Sequence, residues 1–156
     1  MLTEAGTDGA MLATAEAVVE YGRSWARRLA GAGPLAVIVL VGELGAGKTT
    51  FAKGLAEGWN VAAAEEVTSP TYTLIHEYRR GERSFYHLDL YRIETAAQLE
   101  TLGVEDLLQP PPAPERRLMA IEWGERVEAQ LPRPYLRLEI APDARERRRV
   151  TAAWVE

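Results

Sequence analysis

The feature that most constrains the fold of this chain is a glycine-rich segment: Gly42-Glu43-Leu44-Gly45-Ala46-Gly47-Lys48-Thr49. It fits the pattern G-x-x-x-x-G-K-[ST] at every fixed position. The apolar, β-branched run at residues 35–41 precedes it, and residues 50–58 have a helical pattern. A strand, a glycine-rich loop and a helix in this order predict a loop whose backbone N–H groups bind phosphate.

The loop residues have separate predicted roles in binding a nucleotide. The glycines permit a tight turn and a close approach of the backbone to phosphate oxygens. Lys48 supplies a positive charge, and the Thr49 hydroxyl is a ligand for magnesium. The predicted nucleotide contacts in this region are Glu43, Leu44, Gly45, Ala46, Gly47, Lys48, Thr49 and Thr50.

The whole chain, at 156 residues and 47% hydrophobic, suits one domain, which we place at residues 11–156 after a frayed end at residues 1–10. The net charge of −5 argues against a dedicated nucleic-acid binder. The lack of cysteine excludes disulfides and thiolate metal sites. Because no apolar run reaches about 18 residues and no basic leader opens the sequence, we expect no membrane contact and a cytoplasmic location.

Hydroxyl groups surround a proline at Thr68-Ser69-Pro70-Thr71, downstream of the loop helix. Such a segment is placed to reach the terminal phosphate or its magnesium as a switch. A Ser-Pro turn that merely starts a strand is the alternative, and the residues by themselves favour it.

Two alternating runs, at residues 72–78 and 84–91, predict a β-hairpin in which Phe85, His87, Asp89 and Tyr91 share one face. Asp89 either lies at the outer shell of the metal or orients water, or else it pairs with Arg92 at the strand end; the spacing favours neither. A further apolar run ends in Glu122, where a phosphate-loop protein needs a second acid facing the magnesium.

The remaining pattern predicts helices at residues 11–30, 94–102 and 124–131 and a terminal hairpin from residues 135–140 and 150–156. Together the elements predict an α/β P-loop nucleotide-binding fold, with a mainly parallel central sheet, antiparallel additions and flanking helices. The arginines at 145 and 147–149 indicate a solvated turn or, alternatively, a docking patch.

The sequence resembles the TsaE (YjeE) family of bacterial tRNA threonylcarbamoyladenosine biosynthesis ATPases over residues 21–131. Five segments carry the resemblance: residues 42–51, 68–75, 86–92, 99–103 and 121–123. The chain departs from the family pattern at Glu43, where relatives have aspartate. It departs again at Val18, where they have threonine, so the leading helix adds nothing to the predicted site.

The resemblance implies an ATPase that uses ATP and Mg²⁺ and acts with the proteins TsaB and TsaD. It would let their threonylcarbamoyl transfer assembly turn over, and would meet tRNA only indirectly through that complex. Asp89 and Glu122 would be catalytic and, with Thr49, would hold the metal. The switch would be Thr68, Ser69, Pro70 and Thr71, and Trp123 would lie beside the nucleotide.

Two other functions are compatible with the loop. One is a small-molecule kinase, which needs an acceptor pocket and an arginine-bearing lid, and the other is a module in which nucleotide acts only as a switch. The sequence offers no obvious arginine to neutralise the transferring phosphate, so we expect slow hydrolysis by the chain alone and stimulation by partners.

Overall fold

The computed structural model describes residues 7–43 and 45–156. Seven strands form one sheet in the order β1-β7-β6-β2-β5-β4-β3. In chain order the strands are β1 (Thr7–Leu12), β2 (Leu35–Val41), β3 (Ile75–Arg80), β4 (Arg83–Asp89), β5 (Arg116–Glu122), β6 (Tyr135–Pro142) and β7 (Arg148–Val155). The four central strands β6, β2, β5 and β4 run parallel, and β1, β7 and β3 add antiparallel pairs. The predicted fold class is confirmed.

Helices cover both faces of the sheet and complete two apolar cores. They are α1 (Ala15–Leu29), α2 (Lys48–Gly58), α3 (Ala96–Leu102) and α4 (Val104–Leu107). Helices α1 and α2 pack on the face that carries Ile38 and Leu118, and α3 and α4 pack on the face that carries Val39 and Met119. Successive side chains of a strand point to opposite faces of the sheet. Because the central strands are apolar on both faces, each face packs against its own layer of helices.

Close contact between α1 and α2 fixes the helix that follows the phosphate loop. A Cβ on Gly54 would collide with the Val19 carbonyl oxygen, and one on Gly22 would collide with that of Phe51. The two glycines therefore let the helix backbones touch. The first turn of α1 is capped by Thr14, whose Oγ1 accepts from the Ala17 N–H at 3.0 Å.

Several predicted boundaries were wrong. Residues 7–10 are not frayed, because Thr7–Leu12 pairs with β7 over six residues; residues 1–6 lie outside the described part of the chain. The predicted helix at residues 11–30 consequently starts at Ala15. The predicted helix at residues 124–131 is two 3₁₀ turns, Gly124–Arg126 and Glu128–Gln130, divided at Val127, whose backbone leaves helical geometry (φ −129°).

The sequence predicted the hairpin at residues 75–89 as an antiparallel addition, but its second strand is part of the parallel centre of the sheet. Strand β3 is the antiparallel addition, but β4 pairs in parallel with β5, from Arg83 opposite Arg116 to Asp89 opposite Glu122. Two acids thus stand side by side at the carboxyl edge of the sheet. Within residues 7–43 and 45–156, no helix has the length and apolar character needed to cross a membrane.

Candidate functional site

The glycine-rich loop stands at the carboxyl edge of the sheet, between the end of β2 and the start of α2. Gly45 (φ 80°) and Gly47 (φ 112°) adopt left-handed conformations that side chains disfavour. Gly47 also caps α2, so the loop leads directly into the positive end of that helix. This is the geometry of an anion-binding loop. Leu44, a predicted nucleotide contact, lies outside the described residues.

Lys48 is largely buried in the mouth of this loop. Its Nζ donates to the Gly42 carbonyl oxygen at 2.6 Å and lies 3.5 Å from Glu122 Oε1. Its side chain is 11% exposed and that of Glu122 is 7% exposed. The ammonium group is thus held by one carbonyl and one carboxylate at the place where a phosphate chain would follow the loop.

Glu122, the last residue of β5, is bonded on its other side by a buried histidine. His87 Nε2 and Glu122 Oε2 are 2.8 Å apart, and His87 is fully buried. Burial raises the pKa of Glu122, but the hydrogen bond from His87 and the charge of Lys48 outweigh burial and lower the pKa overall. The carboxylate is therefore ionised at neutral pH and fixed in position.

Asp89, the last residue of β4, lies beside Glu122 in the sheet. Its Oδ1 accepts from the Tyr91 N–H at 3.0 Å, and its Oδ2 accepts from Thr71 Oγ1 at 3.2 Å. The alternative pairing with Arg92 is not found in the described structure. Arg92 instead lies over the ring of Tyr72, 4.5 Å from its centroid. The strand end thus directs the carboxylate towards the hydroxyl segment.

The hydroxyl segment at residues 68–71 reaches the site through two of its residues. Thr71 Oγ1 bonds Asp89, and it also bonds Ser69 Oγ at 2.8 Å. Thr68 contacts the β3 strand instead: its Oγ1 lies 3.5 Å from His76 Nδ1, and its backbone N–H donates to Tyr78 Oη at 3.3 Å. Pro70 is buried. The assignment of this segment as a switch stays a prediction, but its contact with Asp89 is one that a turn starting a strand does not need.

Lys53 fixes the start of this segment to the loop helix. Its Nζ donates to the carbonyl oxygens of Val67 at 2.7 Å and Ala64 at 3.2 Å. Because Lys53 lies on α2, the residues preceding the hydroxyl segment are tied to the same helix that begins at the phosphate loop.

A cavity of about 590 Å³ joins these groups. This volume lies in the range of small-molecule sites. The cavity is lined by Gly45, Gly47, Lys48, Thr49, Thr50, Ser69, Thr71, Asp89, Tyr91, Glu122 and Trp123.

Of the predicted site residues that the structure describes, four do not line this cavity: Glu43, Ala46, Thr68 and Pro70. Glu43 is exposed, and Ala46 is 2% exposed and packs in the apolar core. The directions of the Glu43 and Ala46 side chains depend on the backbone conformation of the loop. The residue pattern alone does not specify that conformation. The backbone N–H of Ala46 donates to the Glu43 carbonyl oxygen at 3.0 Å, so it is used within the loop in this structure.

Two aromatic rings form one wall at the cavity mouth. Trp123 has a left-handed backbone (φ 62°), unusual for a bulky residue, and its ring centroid lies 5.0 Å from that of Tyr91. Tyr91 was not among the predicted site residues. The sequence pattern placed Tyr91 on the same strand face as Asp89, and this could have identified it as a site residue. In the structure, β4 itself ends at Asp89.

A second, smaller cavity of about 150 Å³ borders the phosphate loop and shares Gly45, Gly47 and Thr50 with the first. Residues of the loop, of the start of α1 and of the turn between β6 and β7 enclose it: Leu12, Ala13, Thr14, Ala15, Val18, Gly45, Gly47, Thr50, Glu146 and Arg148. Thr14 was not predicted to lie at the loop, and Arg148 was predicted only as part of a solvated turn or docking patch; the pairing of β1 with β7 places Leu12 opposite Arg148.

The donor set suits magnesium rather than a metal held by protein alone. Thr49, Asp89 and Glu122 offer oxygen atoms to one cavity, and oxygen is the donor that magnesium prefers. Throughout residues 7–43 and 45–156 there is no group of three or more His, Asp or Glu side chains able to hold a metal ion. Magnesium bound by few protein ligands and by substrate phosphates fits this arrangement.

Comparison with known proteins identifies the relatives of this chain. The model of the family described as threonylcarbamoyl adenosine biosynthesis protein TsaE matches residues 12–150. Proteins named tRNA threonylcarbamoyladenosine biosynthesis protein TsaE are 43% identical in Synechocystis, 38% in Bacillus subtilis and 38% in Treponema pallidum. These matches cover 69%, 74% and 75% of this chain and 66%, 67% and 81% of the respective relatives.

A solved structure has the same architecture. The crystal structure of Bacillus subtilis YdiB superposes with a TM-score of 0.69 and 28% sequence identity. The superposition covers 100% of this chain and 88% of that one. The fold and the family model therefore agree over the region that holds the loop, both carboxylates and the hydroxyl segment.

Proposed function

The chain belongs to the TsaE family, and from that premise we propose that it binds and hydrolyses ATP in support of threonylcarbamoyladenosine formation in tRNA. It would act with TsaB and TsaD so that their transfer assembly can turn over, in the cytoplasm where tRNA is modified. The relatives are named for this biosynthesis. The ATPase role and the two partners are our inference.

The observation that carries this proposal is the convergence of the phosphate loop and two buried carboxylates on one cavity. Lys48, Asp89 and Glu122 all line it, although they come from three separate elements. Burying charged groups is costly unless they are paired or used. The pairs made by Lys48 and Asp89 leave both groups facing open space large enough for a nucleotide.

Binding begins with the phosphate chain entering the loop. The N–H groups at the start of α2 and the turn formed by Gly45 and Gly47 surround the phosphates, and Lys48 exchanges Gly42 and Glu122 for phosphate oxygens. Glu122 keeps its hydrogen bond to His87 during this exchange. Its position is therefore maintained when Lys48 moves.

The carboxylates and hydroxyls arrange the reacting end. Magnesium, when bound, neutralises charge on the terminal phosphates. Thr49, Asp89 and Glu122 would hold it, directly or through water in its shell, and the carboxylates would thereby orient the attacking water. Thr71, which bonds Asp89, brings the hydroxyl segment into contact with this end.

Hydrolysis by the chain alone is expected to be slow. In the described structure, no arginine lines the larger cavity, so charge at the transferring phosphate is countered by Lys48 and magnesium only. Tyr72, Tyr91 and Trp123 are exposed by 80%, 55% and 38%. Tyr91 and Trp123 stand at the mouth, which suits closure of the site by a partner.

The test is ATP hydrolysis measured for this chain alone and with purified TsaB and TsaD, using Asp89→Asn as the variant. We expect low activity alone and strong stimulation by the pair. We expect Asp89→Asn to lose at least about a hundredfold of the stimulated rate, because positioned acid–base groups contribute on that scale.

Asp106→Asn is the matched control, since Asp106 is an exposed aspartate on α4 and does not line the cavity. It should keep the stimulated rate. If the pair of proteins changes nothing and a small metabolite is phosphorylated instead, the chain is a kinase. If nucleotide binds but hydrolysis has no effect on threonylcarbamoyl transfer, nucleotide serves only as a switch.

A further inference from the structure

The phosphate loop separates two cavities of different character. The groups suited to a terminal phosphate, Lys48, Asp89 and Glu122, all line the larger cavity. Gly45, Gly47 and Thr50 border both cavities. These shared residues give a nucleotide whose terminal phosphate lies beside Asp89 a route along the loop, by which its other end reaches the smaller cavity.

Arg148 is the cationic side chain of the smaller cavity. It is the first residue of β7, and its backbone is fixed by pairing with Leu12 on one side and Pro142 on the other. Its Nε lies 3.8 Å from the position that a Cβ would take on Gly47. The guanidinium thus lies directly beside the last glycine of the loop, where the backbone has no side chain of its own.

The turn that presents Arg148 is well ordered by its own bonds. Arg147 donates to Asp143 Oδ2 at 2.8 Å, and the Asp143 N–H donates to the Arg147 carbonyl oxygen at 2.8 Å. Glu146 provides the left-handed residue of the turn (φ 61°). A side chain that extends from such a turn is held in place at low entropic cost.

Neighbouring arginines have other environments. Arg147 is neutralised by Asp143, and Arg145 and Arg149 are exposed. Among the residues that the structure describes, Arg148 makes only two long bonds, of 3.4 and 3.3 Å, to the carbonyl oxygens of Glu146 and Arg147. No carboxylate among residues 7–43 and 45–156 lies within 4 Å of its guanidinium. Its charge is available to an anion.

We propose that Arg148 is a nucleotide-binding residue whose guanidinium, presented by the turn between β6 and β7, contacts the α-phosphate of the nucleotide on the phosphate loop. The proposal rests on the proposed ATP site. The α-phosphate is the one nearest the nucleoside, and Thr50 and Arg148 meet at the side of the loop where it would lie. The apolar side chains of Leu12 and Val18 in the same cavity would contact the nucleoside.

At this position Arg148 should increase the affinity for the nucleotide rather than the rate of phosphoryl transfer. Arg148 lines the smaller cavity, whereas Asp89 and Glu122 line the larger one, so the proposal places Arg148 away from the transferring γ-phosphate. ADP and ATP share the α-phosphate, and Arg148 should therefore contribute equally to the binding of both. In steady-state hydrolysis its loss should appear in KM rather than in kcat.

The test is calorimetric titration of the full chain with ATP and with ADP, in the presence of Mg²⁺, for the unmodified protein and three variants. Arg148→Ala should weaken both nucleotides about tenfold or more, as expected for loss of a charge-assisted hydrogen bond. Arg148→Lys should weaken them less, because lysine keeps the charge but not the planar fork. Arg145→Ala is the matched control and should stay within about twofold.

The outcomes separate the possibilities. If Arg148→Ala weakens ATP but not ADP, the side chain acts at the γ-phosphate and the proposal is wrong. It is also wrong if Arg148→Ala binds both nucleotides as well as Arg145→Ala does. If the unmodified protein binds neither nucleotide, the proposed ATP site fails, and this proposal with it. Equal thermal unfolding midpoints for the variants would exclude misfolding as the cause of a loss.

Discussion

Strands β4 and β5 carry buried polar side chains at both ends, and the two ends differ in what those side chains face. At the amino end, Ser84 and Arg117 lie opposite each other in the sheet, next to Glu115. At the carboxyl end, Asp89 and Glu122 lie opposite each other. The amino-end groups bond to protein, whereas the carboxyl-end groups line an open cavity.

The amino-end cluster is internally paired. Glu115 Oε2 accepts from Ser84 Oγ at 2.9 Å and from Arg117 at 3.2 Å, and its Oε1 lies 3.5 Å from Arg79. Arg117 also donates to the carbonyl oxygen of Leu107 at 2.7 Å. Polar groups whose hydrogen bonds are made to other protein groups stabilise the fold. Polar groups that can still form hydrogen bonds towards a cavity are available to bind a ligand.

The largest expected effect on stability is at Arg117. Arg117→Met removes a charge that binds Glu115 and the chain at residues 107–109, and should lower the free energy of unfolding by about 3 kcal/mol. Denaturant titration measures this loss. ATP hydrolysis per folded molecule should stay unchanged, and a large fall in it would show that the amino end also serves the reaction.

Lys48→Ala should have the opposite effect to Arg117→Met: it should weaken ATP binding and leave the fold intact. Because the ammonium group is expected to bind phosphate, its loss should weaken ATP binding on the order of a hundredfold. The circular dichroism spectrum should remain that of the unmodified protein. A collapsed spectrum would mean that the bonds from Lys48 to Gly42 and Glu122 hold the fold together instead.

Acidification offers a third comparison. Burial raises the pKa of Glu115, but the Ser84 hydrogen bond and the charges of Arg117 and Arg79 outweigh burial and lower the pKa below its usual value of 4.5. A carboxyl whose pKa is lower in the folded state stabilises the protein above the unfolded-state pKa and loses this contribution as pH falls through the folded-state value.

Unfolding free energy should therefore decrease from about pH 4.5 downwards, and Glu115→Gln should make that decrease shallower. Denaturant titrations at a series of pH values measure the slope. An identical slope in the variant would show that the amino-end cluster contributes nothing to acid sensitivity.

The smallest effect is expected at Ser84. Ser84→Ala removes one of the hydrogen bonds to Glu115 and should cost about 1 kcal/mol of stability, since Arg117 and Arg79 remain. Thermal unfolding at neutral pH measures it. A cost as large as that of Arg117→Met would mean that the hydroxyl, rather than the guanidinium, organises the cluster.

The sequence predicted the carboxyl end better than the amino end, for a physical reason. The phosphate loop, Asp89 and Glu122 each follow from a local pattern, and parallel strands bring their carboxyl ends to one edge. The cluster around Glu115 depends on strand register. A proline-rich segment at residues 109–116 revealed nothing about it.

The features that the sequence missed all depend on distant pairing or backbone direction. Strand β1 pairs with β7 along its whole length, and residues from both sides of that pair, Leu12 and Arg148, border the cavity beside the phosphate loop. The directions of Glu43 and Ala46 depend on the backbone conformation of the loop. Local residue types do not specify either property.

The most direct measurement compares Glu115→Gln with Glu122→Gln, two identical changes, one at the residue before β5 and one at its last residue. Stability and partner-stimulated ATP hydrolysis would be measured for both variants. We expect Glu122→Gln to lose most hydrolysis while unfolding near the midpoint of the unmodified protein, and Glu115→Gln to be less stable but fully active per folded molecule. Equal losses of hydrolysis in the two variants would contradict the assignment of the carboxyl end as the reactive site.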